Sequence, residues 1–406
     1  MSIPFEATER FGREVDFLKA IVRVPSDNPP GDCAPHAEVA GQLLEELGFT
    51  VERHAVPEPF VKTYGMRSVV NLVVREKFGT GKGPVIALNA HGDVVPPGAG
   101  WTFDPYGAEE KGGAIYGRGA AVSKSDFATY AFALLALKDA PDGLDGTVEL
   151  HFTYDEEAGG FLGPKWLLEH ELSKPDYAIS AGFSYSVVIA HNGALHLEIV
   201  VRGKQAHAAM PETGADALEA ATKILTVIYA ERKRLYGITS DTPGIGSPKI
   251  TVGLISGGIN TNVVPDRIVM RVDRRLTPEE DGLAVEAALS ALIEQAVADM
   301  PGIEIECRRI ILAEPLRTLP GTEKLVEIVQ KHATEVMGLT PPATAVPLYT
   351  DARHYTARGI PTILYGAGPR SILDANAHAA DEHVMIADLK AATTVIELTL
   401  RDLLKA

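Results

Sequence analysis

Runs of apolar residues separated by polar turns divide the first part of the chain into helices and strands. Residues 11–24 and 37–47 place apolar side chains three and four positions apart, which predicts two amphipathic helices. Residues 49–53 alternate between apolar and polar, as in a strand with one face in a core. The apolar runs at 85–88 and 147–153 predict strands buried inside a sheet. Helices among buried strands predict an α/β layer structure.

The pattern changes near residue 190. From there the spacing predicts strands at 195–201, from Ile250, at 268–273 and at 303–311, and helices from Asp216 and at 283–298. This α+β order predicts a smaller inserted domain, after which the pattern of the first domain returns. We therefore expect the first part of one domain at 1–188, the inserted domain at 189–312, and the second part of the first domain at 313–406.

Titratable side chains follow two of the predicted buried strands. His91 and Asp93 come after the strand at 85–88 and are two residues apart, so both leave the same face of extended chain. Asp155-Glu156-Glu157 follows the strand at 147–153. Because open α/β sheets place their chemistry at the carboxyl ends of strands, both runs are candidate site residues. The alternatives are a histidine and aspartate paired in a loop, and a solvent-exposed run of acids.

Charge and cysteine content exclude several partners and locations. A formal net charge of −16 over 406 residues argues against binding of nucleic acid, which requires basic patches. No run of 18 apolar residues is present, so no membrane span is expected. Residues 1–6 have no basic segment followed by an apolar one, so we expect no signal peptide. The two cysteines, Cys33 and Cys307, have no metal-binding spacing and suit a reducing compartment, which predicts a cytoplasmic protein.

Six short runs occur in the order found in one enzyme family. They are His91-Gly92-Asp93, Tyr116-Gly117-Arg118-Gly119-Ala120, Asp155-Glu156-Glu157, Gly203-Lys204-Gln205-Ala206-His207, Asn262-Val263-Val264-Pro265 and Ala377-His378-Ala379-Ala380-Asp381-Glu382. With these runs the chain resembles, over essentially its whole length, the co-catalytic zinc metallopeptidase family of aminoacylase-1, glutamate carboxypeptidase and succinyl-diaminopimelate desuccinylase. The resemblance implies a catalytic domain with a mixed sheet flanked by helices, and an inserted α+β lid that commonly forms a homodimer interface.

The resemblance also implies roles for individual residues. It implies three metal ligands, which are His91, Glu157 and His378. Glu156 resembles the general base that deprotonates water, and Asp93 resembles the carboxylate that orients the ligating imidazole. His207 resembles the residue that stabilises the oxyanion, often across the dimer. Polar contacts to a carboxylate-containing substrate are implied for Asn262, Arg275 and Arg353.

Two positions depart from the family pattern. The family has an aspartate that bridges two metals where this chain has Val122, and a second carboxylate ligand where it has Gly182. Without the bridging charge, two dications about 3.5 Å apart repel each other too strongly. We therefore expect one divalent transition metal per chain, zinc or manganese. Asp126, one helical turn after Val122, is an open candidate for a replacement ligand, and the alternative is a helix N-terminal acid.

Three functions stay open on the sequence. The first is metal-dependent hydrolysis of the amide in an N-acyl amino acid or a small peptide-like acid, with Glu156 moving the proton. The second is hydrolytic deamination of an electron-poor aromatic amine by the same groups. The third is a metal-free, non-catalytic dimeric homologue. The intact Asp93, Glu156 and His378 argue against the third, because a decaying site would lose its base as readily as its ligands.

Overall fold

The computed structural model describes residues 5–371 and 373–406, with side chains from residue 9 onward, and divides them into two compact units. Unit 1 contains the described residues up to Ile189 together with Thr318–Thr344 and Thr350–Ala406, and unit 2 contains Ala190–Arg317 and Ala345–Tyr349. Residues 1–4 lie outside the described residues. They are part of residues 1–6, for which the sequence predicts no signal peptide. The assignment of the predicted segment 189–312 as a lid and dimerisation domain stays a prediction.

The described residues form ten α-helices and fifteen strands. The strands are β1 (Val51–Ala55), β2 (Val70–Phe78), β3 (Val85–His91), β4 (Glu109–Lys111), β5 (Ala114–Tyr116), β6 (Gly146–Thr153), β7 (Tyr177–Ser180), β8 (Val187–His191), β9 (Gly193–Arg202), β10 (Lys249–Gly257), β11 (Arg267–Leu276), β12 (Glu304–Ala313), β13 (Ala343–Val346), β14 (Thr362–Leu364) and β15 (His383–Met385). The helices are α1 (Phe5–Val22), α2 (Ala34–Glu46), α3 (Glu58–Thr63), α4 (Lys124–Asp139), α5 (Pro164–Glu169), α6 (Ala217–Leu235), α7 (Gly282–Gln295), α8 (Thr322–Met337), α9 (Ala352–Thr356) and α10 (Ile386–Leu403).

The largest sheet is mixed and has eight strands. Their order is β1-β2-β6-β3-β7-β14-β8-β13. Strand β3 is parallel to both of its neighbours, β6 and β7, whereas β2 is antiparallel to β1 and β6. A small antiparallel sheet of β15, β5 and β4 lies apart from it. The predicted class, a mixed sheet flanked by helices, is confirmed.

Strand β3 and helix α4 form the most buried part of unit 1. Ile86, Ala87 and Leu88 have no exposed surface, as the uninterrupted apolar run predicts. Helix α4 is buried from Lys124 to Leu137, because it contacts α1 and α10 as well as β3 and β6. A helix covered on all sides needs apolar residues all round, and its alanines permit close packing. The carboxyl end of β3 is therefore held by a rigid core.

Unit 2 is a four-stranded antiparallel sheet, β10-β11-β9-β12, with α6 and α7 packed against it. Leu195, Leu197 and Ile199 alternate along β9 into a core shared with these helices, as their spacing predicts. Helix α6 begins after Asp216, whose carboxylate accepts a hydrogen bond from Leu218 N at 2.7 Å. Among residues 5–371 and 373–406, no helix combines the length and the apolar character needed to cross a bilayer.

The glycine between His91 and Asp93 is required by packing. A Cβ at Gly92 would lie 2.4 Å from Tyr154 Cε1 and 3.1 Å from Phe127 Cζ. We predict that Gly92→Ala lowers the free energy of unfolding by about 1–3 kcal/mol, because overpacking forces aromatic side chains out of position. Urea denaturation followed by fluorescence measures the change.

The matched control for this prediction is Gly12→Ala. Gly12 lies inside α1, and no atom of the described residues lies within 4 Å of a Cβ built on it. Alanine there should raise the free energy of unfolding by about 0.5–1 kcal/mol through helix propensity. Equal unfolding midpoints for the Gly92 variant and the unmodified protein would contradict the packing argument.

Candidate functional site

The strands β3 and β6 end at the same edge of the large sheet. Their parallel register pairs His91 with Thr153, and Gly92 N donates to Thr153 O at 2.8 Å. The run His91-Gly92-Asp93 therefore leaves the sheet beside the run that continues to Glu156 and Glu157. The structure thus brings together the two motifs that sequence placed at strand ends.

Asp93 connects these two motifs. Its buried carboxylate accepts hydrogen bonds from the backbone N–H groups of Glu156, at 3.2 Å, and Glu157, at 3.1 Å. A third donor is the side-chain amide of Asn28, at 3.0 Å. The 3₁₀ turn Glu156–Ala158 is thereby fixed at its amino end. Asn28 is a residue that the sequence analysis missed, because its loop carried only turn signals.

The ring of His91 is oriented mainly by a backbone carbonyl. Nδ1 of His91 lies 2.9 Å from the carbonyl oxygen of Asp93 and 3.4 Å from its Oδ1. Both the carbonyl and the carboxylate of Asp93 thus face this nitrogen, and the role of the Asp93 carboxylate in orienting His91 stays a prediction. Nε2 of His91 is left to face the turn at Glu156.

Four side chains converge at this point. One ligand atom each from His91, Glu156 and Glu157 lies within 4.8 Å of the others, and His91 Nε2 is 4.0 Å from Glu156 Oε2. Glu157 Oε1 lies 3.3 Å from His378 Nε2. This oxygen is buried and has no hydrogen-bond partner among the described residues. Imidazole nitrogens and carboxylate oxygens without donors are the ligands that zinc and manganese prefer, so the group fits a divalent cation.

The electrostatics of the cluster also suit a cation. Burial raises the pKa of Glu156 to about 8, more than the nearby ring of His91 lowers it. Burial lowers the pKa of His91, but the carboxylates of Asp93, Glu156 and Glu157 outweigh it and raise the pKa well above its usual value. The carboxylate of Glu157, 3.3 Å away, is the main cause of the raised pKa of His378. A divalent cation among these groups would oppose all three shifts.

The loop that carries His378 is tied down by the acids that follow it. Asp381 Oδ1 accepts a hydrogen bond from Thr102 N at 2.7 Å. Glu382 is fully buried and pairs with Arg118 Nη1 at 2.6 Å. Its other oxygen accepts from the backbone N–H of Val122 at 3.1 Å. The half-exposed ring of His378 therefore projects from a fixed loop, with a positive φ of 62° at its own residue.

The two positions that depart from the family pattern supply no ligand. Val122 is half-buried and has no donor atom. A Cβ at Gly182 would lie 2.7 Å from Tyr365 N, so no side chain fits there without a backbone shift. Asp126 does not replace either of them. Its two oxygens accept from Ala367 N at 2.7 Å and Gly182 N at 3.3 Å, and burial raises its pKa to about 7.

Arg353 lies in unit 1 but is engaged with the backbone. It is 3% exposed, and its guanidinium donates to the carbonyl oxygens of Gly159 and Thr350. The next residue, His354, lies 3.0 Å from the same Gly159 carbonyl. These contacts position the turn that follows Glu157, and the role of Arg353 as a substrate contact stays a prediction.

The other predicted contacts lie in unit 2. His207 pairs with Val263 as an antiparallel bridge, and Ala208 N donates to Asn262 O at 3.0 Å, so the two motifs are neighbours. His207 is exposed. Arg275 Nε donates to Asp273 Oδ1 at 3.0 Å. The roles of His207, Asn262 and Arg275 in the chemistry stay predictions.

Comparisons with known proteins agree with this architecture. The model of peptidase family M20/M25/M40 matches residues 87–402. Succinyl-diaminopimelate desuccinylase of Rhizorhabdus wittichii is 29% identical over 404 residues, which cover 96% of this chain and 98% of that protein. Acetylornithine deacetylase of Myxococcus xanthus is 29% identical over 366 residues, which cover 89% and 90%. The crystal structure of the Bacillus subtilis YXEP protein, a dinuclear metal-binding peptidase of the M20 family, superposes with a TM-score of 0.69 at 18% identity, covering 98% of this chain and 100% of that one.

The family match spans most of the chain and contains the strand-end motifs of β3 and β6. It confirms the resemblance found in the sequence and the predicted reaction class. The chain belongs to peptidase family M20/M25/M40 and is a metal-dependent hydrolase of amide C–N bonds.

Proposed function

We propose that unit 1 binds one divalent cation, zinc or manganese, through His91, Glu157 and His378. The observations that carry this proposal are two short distances: a ligand atom of His91 lies within 4.8 Å of one of Glu157, and the buried Oε1 of Glu157 lies 3.3 Å from His378 Nε2. The YXEP protein is dinuclear, and we propose that this chain differs. Val122 offers no donor atom, and Gly182 has no room for a side chain.

Glu156 is the general base in this proposal. When bound, the cation polarises the amide carbonyl and lowers the pKa of water. The carboxylate of Glu156 accepts a proton from the attacking water at Oε2, while the water oxygen bonds to the carbonyl carbon. The same proton then passes from Oε2 to the amide nitrogen as the C–N bond breaks, which releases a carboxylic acid and an amine. Glu156 Oε2 lies 4.0 Å from Nε2 of His91, a proposed metal ligand, and this distance supports the role of a base beside the cation.

The proposed substrate is an N-acyl amino acid or a small peptide-like acid. The names of two relatives, a desuccinylase and a deacetylase, support an acyl carbon as the electrophile. They do not favour deamination of an aromatic amine. The intact cluster does not favour a metal-free homologue. In this proposal Asn262 and Arg275 contact the polar groups of the substrate, and His207 stabilises the oxyanion.

We further propose that the protein is a homodimer formed through unit 2. Strand β10 is at the end of its sheet, so one side of its backbone pairs with no other strand in the part of the chain that the structure describes. Leu254, Ile255 and Ile259 on and after it are 52–70% exposed. An edge strand with exposed apolar side chains is a surface for strand pairing with a second copy. A cytoplasmic location stays a prediction from the sequence.

Metal content tests the proposed ligands. Glu157→Ala and His378→Ala should each lose the cation, whereas Glu156→Gln should keep about one ion per chain, because the base is not a ligand here. Elemental analysis after dialysis against metal-free buffer measures the ratio. The matched controls are Glu169→Ala and His170→Ala, two exposed residues of the same types. Two ions per chain, or full metal content in the Glu157 variant, would contradict the ligand set.

Turnover tests the base and the electrophile. Glu156→Gln should lower kcat by about 10²–10⁴-fold with metal still bound, since an amide cannot accept the proton. Release of amine from N-succinyl and N-acetyl amino acids is compared with release of ammonia from aminobenzoates. We expect activity on the first group. Wild-type turnover by the Glu156 variant would refute the mechanism, and ammonia from the aromatic acids would favour deamination.

Light scattering tests the homodimer. We expect the protein to have twice the mass of one chain, and the double variant Leu254→Arg, Ile255→Arg to be monomeric, because like charges would face each other across the edge. The control is Leu283→Arg, Ile310→Arg, which changes two residues that are 56% and 49% exposed elsewhere in unit 2. A monomeric unmodified protein, or a dimeric Leu254 variant, would contradict this interface.

A further inference from the structure

The segment before α2 reaches the Asp93 carboxylate through the side chain of Asn28. We propose that Asn28 is a positioning residue, which fixes the Asp93 carboxylate so that it holds the turn carrying Glu156 and Glu157. This inference depends on the proposed roles of that turn. Nothing in the sequence pattern marks Asn28, which lies in a proline-rich loop after α1.

The backbone of this segment fixes the direction of the Asn28 side chain. Asn28 N donates to Val94 O at 2.8 Å, and Val94 N donates to Ser26 O at 3.0 Å. Ser26 Oγ adds a hydrogen bond to Gly92 O at 2.6 Å. Ser26 and Asn28 are thus hydrogen-bonded to Gly92 and Val94, the two residues that flank Asp93 in the chain. Asn28 is 8% exposed, so its amide has little freedom to leave the carboxylate.

The hydrogen bonds to Asp93 explain why an amide is needed. Asp93 has no exposed surface, and a buried carboxylate is stable only when donors surround it. Two of its donors are the backbone N–H groups of Glu156 and Glu157, and the third is Nδ2 of Asn28. The side-chain donor comes from a separate segment. It therefore anchors the carboxylate, and the carboxylate in turn anchors the catalytic turn.

Loss of this donor should act on the metal as well as on the base. Without the Asn28 bond, Oδ2 of Asp93 keeps only the Glu157 N–H as a donor. The carboxylate can then rotate so that Oδ1, which lies 3.4 Å from His91 Nδ1, moves toward that ring. Rotation of the carboxylate would weaken its hydrogen bonds to the backbone of Glu156 and Glu157, so the base and a proposed ligand would both lose their fixed position. Mutation of a residue that orients metal ligands in this way typically lowers metal affinity by about 10–100-fold.

The test compares Asn28→Leu, which removes the donor at similar volume, with Asn192→Leu. Asn192 is a buried asparagine whose amide donates to Leu276 O at 2.7 Å within unit 2. Zn²⁺ and Mn²⁺ are titrated separately into metal-free protein by calorimetry. We expect the Asn28 variant to bind each ion about 10–100-fold more weakly, with kcat lowered and KM changed less than about threefold. The Asn192 variant should keep the wild-type metal affinity.

A second substitution covers a failure to fold. Asn28→Ser keeps a hydroxyl donor in a smaller side chain, and circular dichroism checks each variant. It should bind metal with an affinity between those of the wild type and the leucine variant. Wild-type affinity in both Asn28 variants would overturn the inference, and so would equal losses in the Asn28 and Asn192 variants.

A parallel titration of Glu157→Ala separates this inference from the proposed function. If the Glu157 variant loses the metal while the Asn28 variants do not, only the role of Asn28 is wrong. If the Glu157 variant binds metal like the wild type, the proposed ligand set itself is wrong.

Discussion

The rest of the site depends on one constraint, which is the repulsion among acidic side chains buried at one edge of a sheet. Asp93, Asp155 and Asp351 are at most 3% exposed, and Glu156 and Glu157 lie beside them. Two carboxylates about 4 Å apart repel each other by about 4 kcal/mol at the dielectric constant typical near a protein surface. Such a group is stable only where N–H donors or a cation balance the charge. Backbone N–H groups serve Asp93, whereas Glu157 Oε1 has none among the described residues.

The proposal of a single cation follows from the same balance of charges. A second dication would need further negative charge close to the first, and the two positions that could supply it are Val122 and Gly182. Asp126, the nearest acid in sequence, uses both oxygens to hold the backbone of Gly182 and Ala367. The backbone N–H of Val122 donates to Glu382, a carboxylate whose other oxygen pairs with Arg118. These contacts support the proposal of a single cation with one general base.

Much of the fold and part of the site could be predicted from the sequence. The apolar run of β3 indicated a buried strand, and parallel pairing with β6 then brings His91 beside Glu156. These inferences depend on periodicity and strand ends, which are local properties. The chemistry of the individual residues, imidazole and carboxylate, followed from their types alone.

Contacts between distant segments could not be predicted. The need for glycine at position 92 arises from the ring of Tyr154, which leaves no room for a Cβ and belongs to another strand end. The hydrogen bond from the Arg353 guanidinium to the backbone of Gly159 had no signal in the sequence, and its predicted contact with the substrate stays a prediction. Asn28 had no signal, because its partner lies 65 residues away in the chain. In each case the role depends on which surfaces meet after folding.

The number of metal ions is the most direct test of this account. Crystals grown with zinc or manganese should be measured by anomalous diffraction on both sides of the absorption edge of that metal. The account predicts one anomalous peak per chain, bounded by His91, Glu157 and His378. Two peaks of similar height within about 4 Å of each other, or one peak away from Glu157, would contradict it.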